Sequence, residues 1–234
     1  MQLFFIPEYS GENIITLDKE ESSHISKVLR IKEGEEIFLT DGKGNLFTCV
    51  ILESTPKRCN VKIVKTEENY QKRSFKIHLA IAPTKNINRI EWLLEKAVEM
   101  GIDEITPIVT EHSERRNINF ERLDKIVVSA MKQSLKCFKP QLNELTDFSS
   151  LINNLKEEKK YLCCCSDEEK IFIKDDYSKD KDVIIFIGPE GDFSDKEIAH
   201  AKNAGCKLIT LGQQRLRTET AALYAISNIH FLNQ

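Results

Sequence analysis

Two glycine-bearing turns near the C-terminus constrain this chain more than any other feature. Gly188-Pro189-Glu190-Gly191 follows the apolar run Val183 to Ile187, and Leu211-Gly212 follows Lys207 to Thr210. Each reads as the turn leaving a buried parallel strand. A glycine there reaches backbone conformations closed to other residues and lets a ligand approach the main chain, so two such turns on neighbouring strands predict one small-molecule pocket. Ordinary αβ turns with no ligand would carry the same pattern. The second turn continues into Gln213-Gln214-Arg215-Leu216-Arg217-Thr218-Glu219-Thr220-Ala221-Ala222, a polar stretch opening an apolar helix.

The segment between the turns is well punctuated. Ser194-Asp195-Lys196-Glu197 fits a capping box, in which the serine hydroxyl and the glutamate satisfy orphan N–H groups at a helix start. Gly205, after Asn203-Ala204, suits the left-handed residue that ends a helix. The expected order is strand, turn, helix, strand, turn, helix. A crossover helix joins parallel strands, so both turns are expected at the same edge of one sheet, where ligands bind in open α/β folds.

Upstream, the periodicity changes near residue 70. Before it, Glu35 to Thr40 and Leu46 to Leu52 flank Asp41-Gly42-Lys43-Gly44-Asn45 as a hairpin, and Val61 to Val64 supplies another strand. A small β-barrel over residues 1–70 is expected, with the polar stretch Lys65 to Arg73 as linker. From residue 75 to 234 an α/β domain with a mainly parallel sheet is predicted. Its strands are Phe75 to Ala82, Ile105 to Val109 and Tyr161 to Cys165. Helices are read from Ile90, Leu93, Leu94, Ala97 and Val98 up to Gly101, and over Phe120 to Lys136 with Leu123, Val127, Ala130 and Met131 inward. The charged tract Lys156 to Lys160 reads as a helix end.

The chain's 234 residues, 41% of them apolar, suffice for a real core. No run approaches the ~20 apolar residues of a membrane span, and Met1 to Glu8 lacks the pattern of a signal peptide, so a cytoplasmic location is expected. Seven cysteines include the triplet Cys163-Cys164-Cys165 but no CxxC pair. That is neither a disulfide framework nor a zinc site, and the triplet reads as buried strand. The histidines His24, His78, His112, His200 and His230 are scattered, with no spacing that suggests a metal; none is expected.

The net charge of −3 argues against a globally basic nucleic-acid binder. Residues 111 to 139 nonetheless hold 7 basic against 4 acidic residues. Arg115-Arg116 with Lys132, Lys136 and Lys139 form either a phosphate-steering patch or a solvated helix face. The absence of GxGxxG, GxxxxGK[ST] and GxSxG disfavours nicotinamide enzymes, ordinary Rossmann methyltransferases, P-loop nucleotidases and serine hydrolases.

At Ile187 to Ser194 and Leu211 to Ala222 the chain resembles the 16S ribosomal RNA uracil-N3 methyltransferase family, within the knotted SPOUT class of S-adenosylmethionine enzymes. The resemblance covers nearly the whole length. His24-Ile25-Ser26-Lys27-Val28-Leu29-Arg30 with Asp41-Gly42-Lys43-Gly44 is similar to the family's N-terminal PUA-like barrel. Lys96 to Gly101 with Ile105-Thr106-Pro107, and Gln133-Ser134 before Pro140, are similar to its central motifs. The sequence departs from the family where Asp192 replaces a usual glycine and His112 a usual arginine. It departs again where Lys132 and Leu135-Lys136 stand in place of Glu and Gly-Arg. Asp192 bears on the first loop's shape, and Lys136 keeps a charge without bidentate phosphate geometry.

The resemblance implies a trefoil knot formed by the C-terminal segment and a methyl donor, S-adenosylmethionine, bent within it. It places the adenine on backbone groups of Gly188, Gly191, Leu211, Gly212 and Leu216, with Ile187, Pro189, Glu190, Thr220 and Ala221 completing the donor site. A homodimer across the knot is implied, and the nearly all-round apolar stretch Ala221 to Leu232 fits such a role as well as burial within one subunit. The implied reaction methylates N3 of one uridine in the small-subunit RNA. Arg217 is the candidate for stabilising the N3 anion, and Glu219 is a candidate base or a favourable charge in a helix's first turn. Lys27, Arg30, Lys85, Arg89, Arg115, Arg116 and Lys136 are the implied RNA contacts. A related enzyme acting on transfer RNA or a ribose 2′-hydroxyl, or an inactive RNA-binding adaptor, would share most of these features.

Overall fold

A computed structural model describes residues 2–234. The chain forms two compact units. One comprises residues up to Lys72 with the detached segment Met131–Lys139; the other comprises Arg73–Ala130 and Pro140–Gln234.

The first unit holds β1 (Leu3–Phe5), β2 (Ile14–Leu17), α1 (Lys19–Ser23), β3 (Glu36–Thr40), β4 (Leu46–Ser54) and β5 (Cys59–Glu67), with a π-helical turn over His24–Leu29 after α1. The strands form one five-stranded sheet in the order β1-β3-β4-β5-β2. β1 runs parallel to β3 and the remaining pairs are antiparallel. Alternation along β4 buries Phe47, Cys49 and Ile51 against Ile15, Leu17, Ile37, Leu39 and Val61. The expected hairpin is present. Asp41 Oδ1 accepts from Lys43 N at 2.8 Å, while Oδ2 accepts from Asn45 Nδ2 at 2.6 Å. The segment after Met131 packs on this hairpin, Lys139 N donating to Gly42 O at 2.8 Å and Gly44 N to Cys137 O at 2.9 Å.

The expected linker is shorter than its polarity suggests. β5 runs to Glu67, and Arg73 belongs to the second unit, its Nη2 pairing with Asp103 Oδ2 at 2.7 Å. Polar side chains do not distinguish an exposed edge of a strand from a linker.

The second unit contains β6 (Ile77–Ile81), α2 (Ile87–Met100), β7 (Glu104–Val109), α3 (Phe120–Gln133) up to Ala130, β8 (Gln141–Leu142), β9 (Thr146–Asp147) and α4 (Phe148–Ile152). These are followed by β10 (Lys159–Cys163), β11 (Val183–Ile187), α5 (Asp195–Asn203), β12 (Lys207–Ile209) and α6 (Thr218–Leu232). Its seven strands run in the order β12-β10-β11-β6-β7-β8, with β9 also on β7, and every pairing is parallel. β6 and β11 are buried along their whole length, as strands covered by helices on both faces must be.

Local signals set several boundaries. α2 starts at Asn86, whose side chain accepts from Asn88 N, and ends at Gly101 (φ 102°), burying Ile90, Leu93, Leu94, Ala97 and Val98. The capping box of α5 is complete, Ser194 N donating to Glu197 Oε2 at 2.9 Å and Glu197 N to Ser194 Oγ at 3.4 Å. α3 stops three residues short of the expected Lys136, where Leu135 turns left-handed (φ 57°). The tract Lys156 to Lys160 is not a helix end. It leads into β10, and its Glu157 Oε1 lies 2.6 Å from Nδ1 of the buried His78. α6 is less uniformly buried than its composition suggests: Ala222, Ala225, Ile226 and Ile229 face the core, while Tyr224 and Phe231 remain exposed. Among the described residues no helix is long and apolar enough to cross a membrane.

Candidate functional site

The C-terminal ends of β10, β11 and β12 point the same way, so the segments leaving them gather at one edge of the parallel sheet. A cavity of ≈ 880 Å³ opens there, lined from Ile187 to Asp192 after β11 and from Ile209 to Thr218 around the turn after β12. The two glycine turns therefore share one pocket. They do not leave neighbouring strands, because β10 stands between β11 and β12. Sequence reasoning misses this strand order. Its consequence is that Cys163, Cys164 and Cys165, expected within a buried strand, also line the cavity. Only Cys163 belongs to β10; Cys164 is buried beyond the strand and Cys165 is exposed.

The thiols of Cys163 and Cys165 are not poised for chemistry. Burial, reinforced by the neighbouring cysteines and Asp192, pushes the Cys163 thiol up to about 12, and burial with the Asp192 charge also raises Cys165. A thiol so shifted stays protonated and weakly nucleophilic.

The turns need their glycines for different reasons. In the first turn the limit is space. A Cβ on Gly188 would approach the Phe193 ring to 3.1 Å, and one on Gly191 would lie 3.1 Å from His112 Cβ. Phe193 has little freedom to yield, being buried against Phe148 at 5.4 Å between ring centroids. In the second turn the limit is backbone: Gly212 adopts φ 111°, while nothing lies within 4 Å of its absent Cβ.

Two of the positions where this sequence departs from the resembled pattern, Asp192 and His112, meet at the first turn. Asp192 takes up a left-handed conformation (φ 61°), which aspartate tolerates better than most residues, and its Oδ2 accepts from Cys165 N at 2.6 Å. His112 Nδ1 lies 2.9 Å from Gly191 O and 3.1 Å from Asp192 O. Both partners are acceptors, so Nδ1 carries the proton. The histidine thereby ties the strand-β7 side of the sheet to the turn. Glu190 Oε1 accepts from Lys85 N at 3.3 Å.

Nine of the ten residues expected to hold a donor line the cavity: Ile187, Gly188, Pro189, Glu190, Gly191, Leu211, Gly212, Leu216 and Ala221. Thr220 does not; it lies exposed on α6, while Thr218 and Ala221, one turn apart, face the cavity. Arg217, the N-cap of α6, also lines it, as do Arg89 from the first turn of α2, Lys170 and Arg215. Glu219 is outside the lining and only 6% exposed. Its Oε1 lies 3.8 Å from Arg89 Nε, and its Oε2 is buried without a hydrogen-bond partner among the described residues.

The remaining cations expected at RNA fall in both units. Arg115 donates to the carbonyls of Thr84 (3.1 Å) and Lys85 (2.7 Å), and Arg116 to those of Thr110 (3.4 Å) and Glu111 (3.2 Å), so both guanidinium groups staple loops. Lys85 pairs with Glu114 on the surface at 3.0 Å. Lys27, Arg30 and Lys136 belong to the first unit.

Comparison with known proteins agrees with this geometry. Residues 71–230 match the RNA methyltransferase domain, and residues 17–64 match the RNA methyltransferase PUA domain. The chain belongs to this RNA methyltransferase family. Its fold is similar to the crystal structure of a probable rRNA-methyltransferase from Porphyromonas gingivalis, with TM-score 0.93 and 40% identity, covering 100% of this chain and 98% of that one. It is also similar to a ribosomal RNA small subunit methyltransferase E from Neisseria gonorrhoeae bound to S-adenosyl methionine, with TM-score 0.89 and 28% identity, covering 99% and 98%. In sequence, ribosomal RNA small subunit methyltransferase E of Mesomycoplasma hyopneumoniae is 29% identical over 233 residues, 97% of this chain and 98% of the relative.

Proposed function

We propose that this protein methylates N3 of a specific uridine in the 16S RNA of the small ribosomal subunit, using S-adenosylmethionine. The observation that carries the reading is the single cavity closed by both glycine turns at the strand ends. Its ≈ 880 Å³ falls within the range of roughly 300–1,000 Å³ usual for ligand pockets. The turns fit a nucleoside donor: at Gly212 nothing lies within 4 Å of the absent Cβ, so a ligand can approach the main chain there, while Gly188 and Gly191 let the first turn pack closely on Phe193 and His112. S-adenosylmethionine, when bound, supplies an electrophilic sulfonium methyl group.

The chain's own residues have two tasks beyond holding that donor. Uracil N3 carries a proton with a pKa well above neutrality, so its anion must be favoured where the methyl group is received. Arg217, a cation in the cavity wall, holds the uracil oxygens and stabilises the negative charge that develops across them. Glu219, behind the wall, acts on Arg89 rather than on the base directly. The residues 1–70 form the PUA-like RNA-binding module and 75–234 the catalytic module. Lys27, Arg30, Lys85 and Lys136 supply charge for phosphate, and Arg115 and Arg116 add field while holding loops. In this reading the C-terminal segment is knotted, exposed Tyr224 and Phe231 contribute to a homodimer, and the protein acts in the cytoplasm on small-subunit RNA.

Nucleoside mass spectrometry of small-subunit RNA from cells lacking the protein tests the reaction. Loss of 3-methyluridine supports it. An unchanged level overturns it, and loss of a transfer-RNA or 2′-O-methyl nucleoside instead reassigns the substrate. Calorimetric titration with S-adenosylmethionine separates an enzyme from an adaptor, which would bind none.

A further inference from the structure

Arg89 stands out among the exposed and half-buried cations of the second unit. It comes from α2, away from both glycine turns, yet its side chain lines the same cavity as Arg217. Behind it lies Glu219, 6% exposed, with Oε1 3.8 Å from Arg89 Nε and Oε2 without a hydrogen-bond partner among the described residues. A carboxylate that is buried and incompletely hydrogen-bonded is strongly destabilising unless a cation is held beside it. Arg89 is the cation the structure provides. The pair therefore fixes a guanidinium at the cavity wall, where a flexible surface arginine would be free to follow the solvent.

On this basis, and resting on the uracil-N3 reading above, we infer that Arg89 is a catalytic residue: with Arg217 it forms a two-guanidinium clamp on the uracil oxygens, and Glu219 is the positioning residue that holds it there. Uracil presents an acceptor, a donor and an acceptor along its pairing edge, and the charge of the N3 anion spreads onto both flanking oxygens. One guanidinium can serve one oxygen; two can serve both. In the transfer, the N3 proton passes to solvent, the N3 lone pair bonds the methyl carbon, and the carbon–sulfur bond breaks with its electron pair remaining on sulfur. Arg89 and Arg217 neither gain nor lose a proton. They lower the energy of the anion while the charge resides on the base. Cytosine, with an amino group in place of one oxygen, meets a donor opposite a donor and is rejected.

The test uses the full-length protein, small subunits purified from cells lacking it, and S-adenosylmethionine, with 3-methyluridine measured by mass spectrometry across pH 6.5 to 9.5, a range of about three units around the approach to N3 ionisation. Arg89→Met is expected to lower kcat near neutrality by about 10²–10³-fold, the range for losing one such donor, with the deficit shrinking as rising pH ionises the base unaided. Arg89→Lys is expected to recover part of kcat, and Glu219→Gln to lower kcat less than Arg89→Met. Affinity for S-adenosylmethionine, measured by calorimetry, stays within about twofold in every variant, which also shows that they fold. A deficit independent of pH, an effect confined to KM for the subunit, or a loss of donor affinity each overturns the inference, the last by assigning Arg89 to the donor's carboxylate. Wild-type protein that forms no 3-methyluridine overturns the underlying reading itself, and the inference falls with it.

Discussion

The carboxylate of Asp192 is hydrogen-bonded to the main chain of Cys165, Oδ2 to N 2.6 Å, and so joins the turn after β11 to the segment leaving β10. Asp192 sits at φ 61°, a conformation in which most side chains are strained. Two requirements meet at one residue: left-handed backbone and an acceptor for a neighbouring amide. Asp192→Ala fails both, losing a charge-assisted hydrogen bond of about 1.5–3 kcal/mol and adding strain. Asp192→Gly fails only the second. Calorimetric titration with S-adenosylmethionine is expected to show weakened affinity for both, with glycine closer to wild type. Equal affinity for alanine and wild type would show that the turn does not depend on Asp192.

Gly191 and Gly212 separate space from backbone conformation. At Gly212, φ 111° with open surroundings makes strain the sole obstacle, about 1–3 kcal/mol for a residue held in an unfavourable region. Gly212→Asn is therefore expected to bind donor better than Gly212→Val. At Gly191 the obstacle is His112 Cβ, 3.1 Å from the position a Cβ would take, so the size of the substituent governs the loss. Gly191→Ala is expected to bind better than Gly191→Asn. Donor dissociation constants for the four variants decide the matter: valine binding as well as asparagine at Gly212, or asparagine as well as alanine at Gly191, would refute the distinction.

Much of the local architecture is legible in the chain. Ser194 and Glu197, three apart, mark the start of α5 because a capping box is a local hydrogen-bond pattern, and Gly101 ends α2 for an equally local reason. The membership of the two glycine turns is legible too, since glycine and strand pattern sit together in sequence. The order of strands is not. That β10 lies between β11 and β12 depends on which hydrophobic faces pair across the sheet, and short strands look alike in that respect. The cysteine triplet therefore reads as strand interior rather than as cavity wall. Glu219 escapes sequence reading for a related cause. Its place in the first turn of a helix suggests a dipole partner, whereas its burial and its approach to Arg89 are set by the packing of α6 against α2.

In the first unit, Gly44 carries a separate demand. Its φ is 100°, and a Cβ there would clash with the Cζ end of the Phe138 ring. Gly44→Ala must move that ring off the hairpin, so a destabilisation of about 1–3 kcal/mol is expected from overpacking, with the strain of φ in addition. Denaturant unfolding should show a lower midpoint, while the donor affinity of folded protein stays unchanged. The double variant Gly44→Ala with Phe138→Ala is expected to lose less than the sum of the two single losses, because removing the ring removes the clash.

Asp176 should set part of the protein's acid tolerance. Its burial opposes the charged form, but hydrogen bonds from Lys207, from Tyr161 Oη at 2.8 Å and from Lys159 Nζ at 3.2 Å overcome it and hold the carboxyl at about 2. An unfolded aspartate ionises near 3.9, so the folded value is the lower of the two. The sign follows. Above about pH 4 the group is ionised in both states and its stabilisation is complete; between about pH 4 and pH 2 the unfolded chain takes up a proton that the folded protein resists, and the stabilisation disappears. Tyr161 lies on β10 beside both β11 and β12, so loosening Asp176 loosens the strands whose far ends form the cavity. Urea unfolding of wild type and Asp176→Asn at pH 7, 5 and 3, a range of about four units spanning this transition, should show the variant less stable at pH 7 and 5 and the two converging toward pH 3. A constant difference across that range would mean that the hydrogen bonds, and not the charge, account for what Asp176 contributes.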